Sequence, residues 1–159
     1  MAGPPRRYHR GVTTTEPTAD RVELTTCPHC GARNRLPVAA TGVPRCGRCR
    51  QTLPWIATAT DADFDAVALA AKLPVLVDLW APWCGPCRIV EPGVQKVAKE
   101  FAGRLKVVKV NVDDAPRTAQ RYQAMSIPML LWITDGQVRR SQVGALPPAA
   151  LQEWVTAAL

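Results

Sequence analysis

The sequence predicts an α/β domain, a central mixed sheet flanked by helices, carried behind a small cysteine-rich module. Three observations predict it. The run Val75 to Trp80 is apolar except for Asp78, as in a strand covered on both faces. It leads into Cys84-Gly85-Pro86-Cys87 and a helical pattern, and further apolar strands then alternate with helical stretches, the order of an α/β sheet. Four of the six cysteines lie in two close pairs before residue 50.

Composition bounds the reading. At 159 residues the chain has room for one domain and an appendage. No apolar run approaches the roughly 18 residues that a membrane span requires. The basic start lacks the apolar region and cleavage site of a secretory signal. A cytoplasmic, monomeric protein with no membrane partner is the expectation. Residues 1–50 carry nine Arg against three acidic residues, so they hold +6 of the net charge of +7. Four thiolates on one divalent metal ion would reduce that excess to about +4. This is too small to argue for a nucleic-acid partner.

Residues 1–24, with Pro4, Pro5, Pro17 and scattered Arg, read as a disordered basic tail. Residues 25–54 hold Cys27-Pro28-His29-Cys30 and, fifteen residues on, Cys46-Gly47-Arg48-Cys49. That spacing predicts a zinc ribbon with Cys27, Cys30, Cys46 and Cys49 as ligands. Four protein sulfurs fill a tetrahedral Zn²⁺ site and leave no position for substrate, so the metal's role is structural. His29 is read as a solvated knuckle residue.

Residues 55–159 form the main domain. Thr60 or Asp61 caps a helix carrying Phe64, Val67, Ala68 and Ala71, which Leu73-Pro74 ends. After the first core strand, the helix from Cys84 carries Ile89, Val90, Val94, Val97 and Phe101 on one face. Pro92 kinks it and Gly103 closes it. Leu105 to Val112 is a second strand, Ala115 to Gln123 a short helix, and Ile127 to Ile133 a third strand. Asp135-Gly136 turns a hairpin into Val138 to Gly144. Pro147-Pro148 opens a last helix with Leu151, Trp154, Val155 and Leu159 on one face.

The chemistry concentrates at Cys84 and Cys87. A helix begins with unpartnered amides and the positive end of its dipole, which favour a thiolate at Cys84 over a thiol. Cys87, one turn further, is placed to attack a mixed disulfide formed at Cys84. The pair is a dithiol redox centre, and no organic cofactor is needed.

Trp83-Cys84-Gly85-Pro86-Cys87 after Val77-Asp78-Leu79-Trp80-Ala81 resembles the thioredoxin family, and the likeness runs from about Trp55 to Leu159. With the two cysteine pairs it is similar to the zinc-ribbon-containing bacterial thioredoxins, the thioredoxin 2 type. The resemblance implies the thioredoxin fold and a protein-disulfide reductase, with Cys84 as nucleophile and Cys87 as resolving thiol. It implies that Asp78 moves the proton of Cys87, with Lys109 as its basic neighbour, and that Ile127-Pro128 is a cis-proline bond. Trp83, Gly85, Pro86, Ile127, Pro128 and Gly144 would line the groove for client proteins with disulfides. Thioredoxin reductase, drawing on NADPH, would be the second partner. Met129 stands where Thr is common in the family.

Two other readings share these residues. A disulfide oxidase or isomerase has the same fold but usually carries His between its cysteines. A zinc-ribbon module binding nucleic acid or protein, with secondary redox activity, would need the stacking aromatics that the ribbon lacks.

Overall fold

The computed structural model describes residues 21–159. Two sheets organise them. In the smaller, β1 (Val22–Thr26) pairs antiparallel with β2 (Arg33–Pro37). The larger comprises β3 (Ile56–Thr58), β4 (Val75–Trp80), β5 (Lys106–Asn111), β6 (Met129–Thr134) and β7 (Gln137–Val143), in the order β3-β5-β4-β6-β7. β4 runs parallel to β5 and antiparallel to β6, so the sheet is mixed, as expected. α1 (Cys87–Glu100), α2 (Pro116–Arg121) and α3 (Pro148–Thr156) flank it.

The central strands sit where their composition puts them. Every residue from Val75 to Leu79 is buried, and so are Met129 to Ile133. Asp135 and Gly136, at φ 53° and 71°, make the tight hairpin turn joining β6 to β7. α1 runs unbroken through Pro92 and turns Val90, Val94 and Val97 into the core with Leu151 and Val155 of α3.

Several boundaries differ from expectation. Strand β1 begins at Val22, inside the stretch 1–24 read as a disordered tail; residues 1–20 lie outside the described ones. β3, only three residues long, was missed. The helix before β4 shrinks to a π-helical turn, Asp65–Leu69, although Phe64, Val67, Ala68 and Ala71 are buried as its spacing predicted. Thr60 starts that turn by accepting from the Ala62 amide, while its own N–H donates to Asp63 Oδ1 at 2.7 Å. Asp61 instead caps α2, accepting from the Arg117 and Thr118 amides. Ile89 (52% exposed) and Leu159 (42%) leave the core faces assigned to them, because α1 buries a narrower stripe and α3 ends at Thr156, before Leu159.

The ribbon is packed into the main domain rather than appended to it. Cys27, Leu36, Val38 and Leu53 share one apolar cluster with Trp55, Ala57 and Val108. Lys106 of β5 is fully buried at this junction. Its ammonium donates to the carbonyls of Val38 (2.7 Å) in the ribbon and Val67 (2.6 Å) in the π-helical turn. It also lies 4.2 Å from the Trp55 ring centroid. Burial pulls its pKa down to about 8.

Gly103, at φ +83°, faces Thr52 of the ribbon so closely that a Cβ would stand 2.7 Å from Thr52 Cγ2. Both the backbone and the space demand glycine there. Gly103→Ala is expected to cost more than about 1 kcal/mol in denaturant unfolding; an unchanged midpoint would show that Thr52 yields freely.

Candidate functional site

β4 delivers the chain to the turn Ala81 to Pro86, and α1 follows. The helix proper begins at Cys87, so Cys84 stands in the turn just ahead of it rather than inside its first turn. The two cysteines are joined as a disulfide, with Cα atoms 5.4 Å apart. The Cys87 amide donates to Cys84 Sγ at 3.2 Å. On the other side Cys84 Sγ lies 3.7 Å from the Ile127 carbonyl oxygen. The Ile127–Pro128 bond is cis, and the Gly144 amide donates to the Pro128 carbonyl at 2.9 Å. These contacts bring Cys84, Ile127, Pro128 and Gly144 together from three separate stretches of chain.

Around them the surface is open and apolar. Trp83 is 69% exposed, and its indole N–H donates to the Asp113 carboxylate at 3.0 Å. Gly85 and Pro86 are exposed beside it, and a Cβ at Gly85 or Gly144 would meet nothing within 4 Å. Met125 (92% exposed) and Val143 (56%) flank the same cis-proline loop. Sequence reasoning missed Met125, and a methionine in a polar loop carries no pattern that would have marked it.

Behind the disulfide lies a cleft of about 230 Å³, lined by Cys84, Cys87, Asp78, Lys109 and Glu91 among others. Asp78 is 2% exposed, and its Oδ1 has no hydrogen-bond partner. Burial pushes its carboxyl up to about 6; Lys109 opposes that rise and Glu91 adds to it. Register places Asp78 directly opposite Lys109 on the parallel neighbour β5. The Lys109 ammonium forms an ion pair with Glu91 of α1 and sits 4.8 Å from the Trp80 ring centroid. Glu91 was also missed. Its signal was position: four residues after Cys87, it shares that residue's helix face.

In the ribbon Cys27, Cys30, Cys46 and Cys49 converge, with all four sulfurs within 4.8 Å of one another. The Cys27–Cys49 and Cys30–Cys46 separations are both 3.6 Å. A tetrahedron with Zn–S near 2.3 Å puts its sulfurs about 3.8 Å apart, so the cage fits that ion. Donors are already arranged for thiolates: the Arg48 amide and Asn34 Nδ2 approach Cys46 Sγ at 3.4 and 3.7 Å. The backbone amides of Cys49 and Arg48, with the Cys30 thiol and the Asn34 side-chain amide, bring the Cys46 pKa down to about 6, while desolvation and the three neighbouring thiols push Cys49 up to about 12. His29 is exposed and lies outside the cluster.

Residues 55–157 match the thioredoxin family model. A thioredoxin of Haemophilus influenzae is 48% identical over 95 residues, which is 60% of this chain and 89% of that protein. Thioredoxin 1 of Synechococcus elongatus is likewise 48% identical over 95 residues, with the same shares. A chloroplastic M-type thioredoxin of Pisum sativum is 42% identical over 106 residues, 67% of this chain and 62% of the relative. The ribbon lies ahead of the matched region, and its cysteine cluster is consistent with the thioredoxin 2 type. A Cys-Gly-Pro-Cys disulfide against a cis-proline on this sheet, with these relatives, makes the chain a thiol-disulfide oxidoreductase that belongs to the thioredoxin family.

Proposed function

We propose that the chain is a cytoplasmic protein-disulfide reductase working through Cys84 and Cys87. In the reduced protein the Cys84 thiolate attacks a client disulfide, forming a Cys84–client bond and releasing the client's other sulfur as thiolate. Cys87 passes its proton to the Asp78 carboxylate and attacks Cys84. The Cys84–Cys87 bond forms, the client's second thiolate leaves, and two electrons have moved from the dithiol to the client. The observation that carries this assignment is the asymmetry of the pair. Cys84 Sγ accepts the Cys87 amide ahead of a helix N-terminus and faces the Ile127 carbonyl, whereas Cys87 is the first residue of α1; both line the cleft that holds Asp78.

The exposed indole of Trp83, with Gly85, Pro86, Ile127, Pro128 and Gly144, forms the client groove. Open space over Gly85 and Gly144 lets client backbone approach closely. Thioredoxin reductase, drawing on NADPH, returns the disulfide to the dithiol. Gly85-Pro86 between the cysteines favours this direction over an oxidase or isomerase. Cys27, Cys30, Cys46 and Cys49 hold one structural Zn²⁺, which supplies folding energy to the ribbon and takes no part in electron transfer. No helix among the described residues is long and apolar enough to cross a membrane, and a monomer is the simplest working unit.

Cys87→Ser is expected to accumulate Cys84-linked mixed disulfides with client proteins, seen as adducts that thiol reductant dissolves on a non-reducing gel. Equal trapping by Cys84→Ser would reverse the roles of attacker and resolver. The equilibrium reduction potential tests direction: a value near −270 mV, as in thioredoxin, is expected, and one near roughly −120 to −180 mV would mean the chain makes or shuffles disulfides.

A further inference from the structure

The cleft behind the disulfide holds two carboxylates, and the mechanism above uses one. Asp78 lies at its floor on β4, buried, with one oxygen unpartnered. Glu91 stands on α1, its side chain 39% exposed, four residues beyond Cys87. Lys109, on β5, faces Asp78 in register yet gives its ammonium to Glu91. The cation nearest the buried acid is therefore tethered to a different anion.

We propose that Glu91 is a positioning residue for the dithiol chemistry, fixing the Lys109 ammonium on the α1 side of the cleft and so governing how readily Asp78 takes the Cys87 proton. The inference rests on Asp78 being the acceptor. With Glu91 ionised, the field that Lys109 exerts on Asp78 is partly cancelled by the paired anion. A neutral residue at 91 removes that anion and frees Lys109 to turn towards its opposite neighbour. Both changes favour the charged form of Asp78. The opposite outcome, a shift upward, would require Lys109 to leave the cleft once released. The Trp80 ring beneath its ammonium opposes that. The other charged or titratable groups facing the cleft are Arg88 on α1 and the two cysteines. Arg88 remains in every variant compared.

The test uses the full-length, metal-loaded protein. The Asp78 carboxyl is followed by ¹³C NMR through a pH titration in the reduced state, alongside the pH profile of single-turnover reduction of a small aromatic disulfide. Glu91→Gln is expected to lower both midpoints by roughly half a pH unit or more, and Glu91→Asp to restore most of the shift. Unchanged midpoints in Glu91→Gln, with only thermal stability altered, would reduce Glu91 to a structural ion pair and overturn the proposal. An upward shift would overturn it too. Asp78→Asn keeps the two questions separate. If that variant retains the wild-type profile, Asp78 is not the acceptor and the underlying reading fails, whatever Glu91→Gln does.

Discussion

Removing the metal from the ribbon, by chelation or by Cys46→Ser, is expected to destabilise the whole chain rather than the ribbon alone. A four-sulfur zinc site contributes roughly 10 kcal/mol or more to the folding of the module around it. Some 30 residues with two short strands cannot replace that by burial. Once the ribbon opens, Leu36 and Val38 withdraw from the cluster they share with Trp55 and Ala57. Lys106 then loses the Val38 carbonyl while its ammonium stays against Trp55. A buried cation with half its acceptors gone is costly. The main thermal transition is expected to fall by about 10 °C or more, equivalent to a few kcal/mol in a chain of this size. Scanning calorimetry with and without chelator measures it. A ribbon that melts separately, with the main transition unmoved, would show that the shared cluster carries little energy.

Asp78→Asn is expected to stabilise the protein while slowing it. Folding raises the Asp78 pKa from 3.8 to about 6, so the folded state prefers the neutral acid. Between those values the folded chain holds a proton that the unfolded chain has released, and stability falls as pH rises through that window. Above pH 6 the whole penalty is present. A shift of that size corresponds to about 3 kcal/mol. Asparagine, never charged, escapes it. The gain should therefore be near 3 kcal/mol at pH 8 and close to nothing below pH 4, read from urea unfolding at the two values. A gain independent of pH would mean that the substitution acts through packing instead. The same variant has no carboxylate to receive the Cys87 proton, so mixed disulfides should resolve more slowly, a trade of activity for stability common where a strained group does chemistry.

Much of the site was legible because its parts obey local rules. Cys84 and Cys87 flank a tight turn at the mouth of an apolar strand, and a lone Asp in that strand had to be special. Pro128 at the head of a core strand could not belong to a central ladder, and the cis bond accounts for it. The cysteine spacing of the ribbon is a covalent pattern that survives any context. What escaped was set by tertiary contact. β2 reads Arg-Asn-Arg-Leu-Pro, poor strand material, and it forms because its Asn34 side chain is bonded to the second cysteine turn and β1 offers a partner. β3 is shorter than any window in which alternation can be counted. Lys106 and Glu91 each look like solvated charges. Lys106 is covered by a ribbon whose packing the strand pattern does not encode, and Glu91 of α1 finds its partner on strand β5, far away in sequence.

The two outer strands of the large sheet bear on how crowded molecules of this protein meet. An uncovered strand margin invites another chain to add itself and begin a fibril. On β3 the ribbon stands guard: Arg21 donates to the Thr58 carbonyl, and Thr58 Oγ1 donates to Glu23. On β7 the margin carries Arg139 and Arg140, and its pairing with β6 slips between Trp132 and Ile133, which disturbs the flat geometry that stacking needs. The ribbon that gathers the four cysteines thus also serves as a bumper against polymerisation, one that a chain beginning at Trp55 would lack while keeping β3.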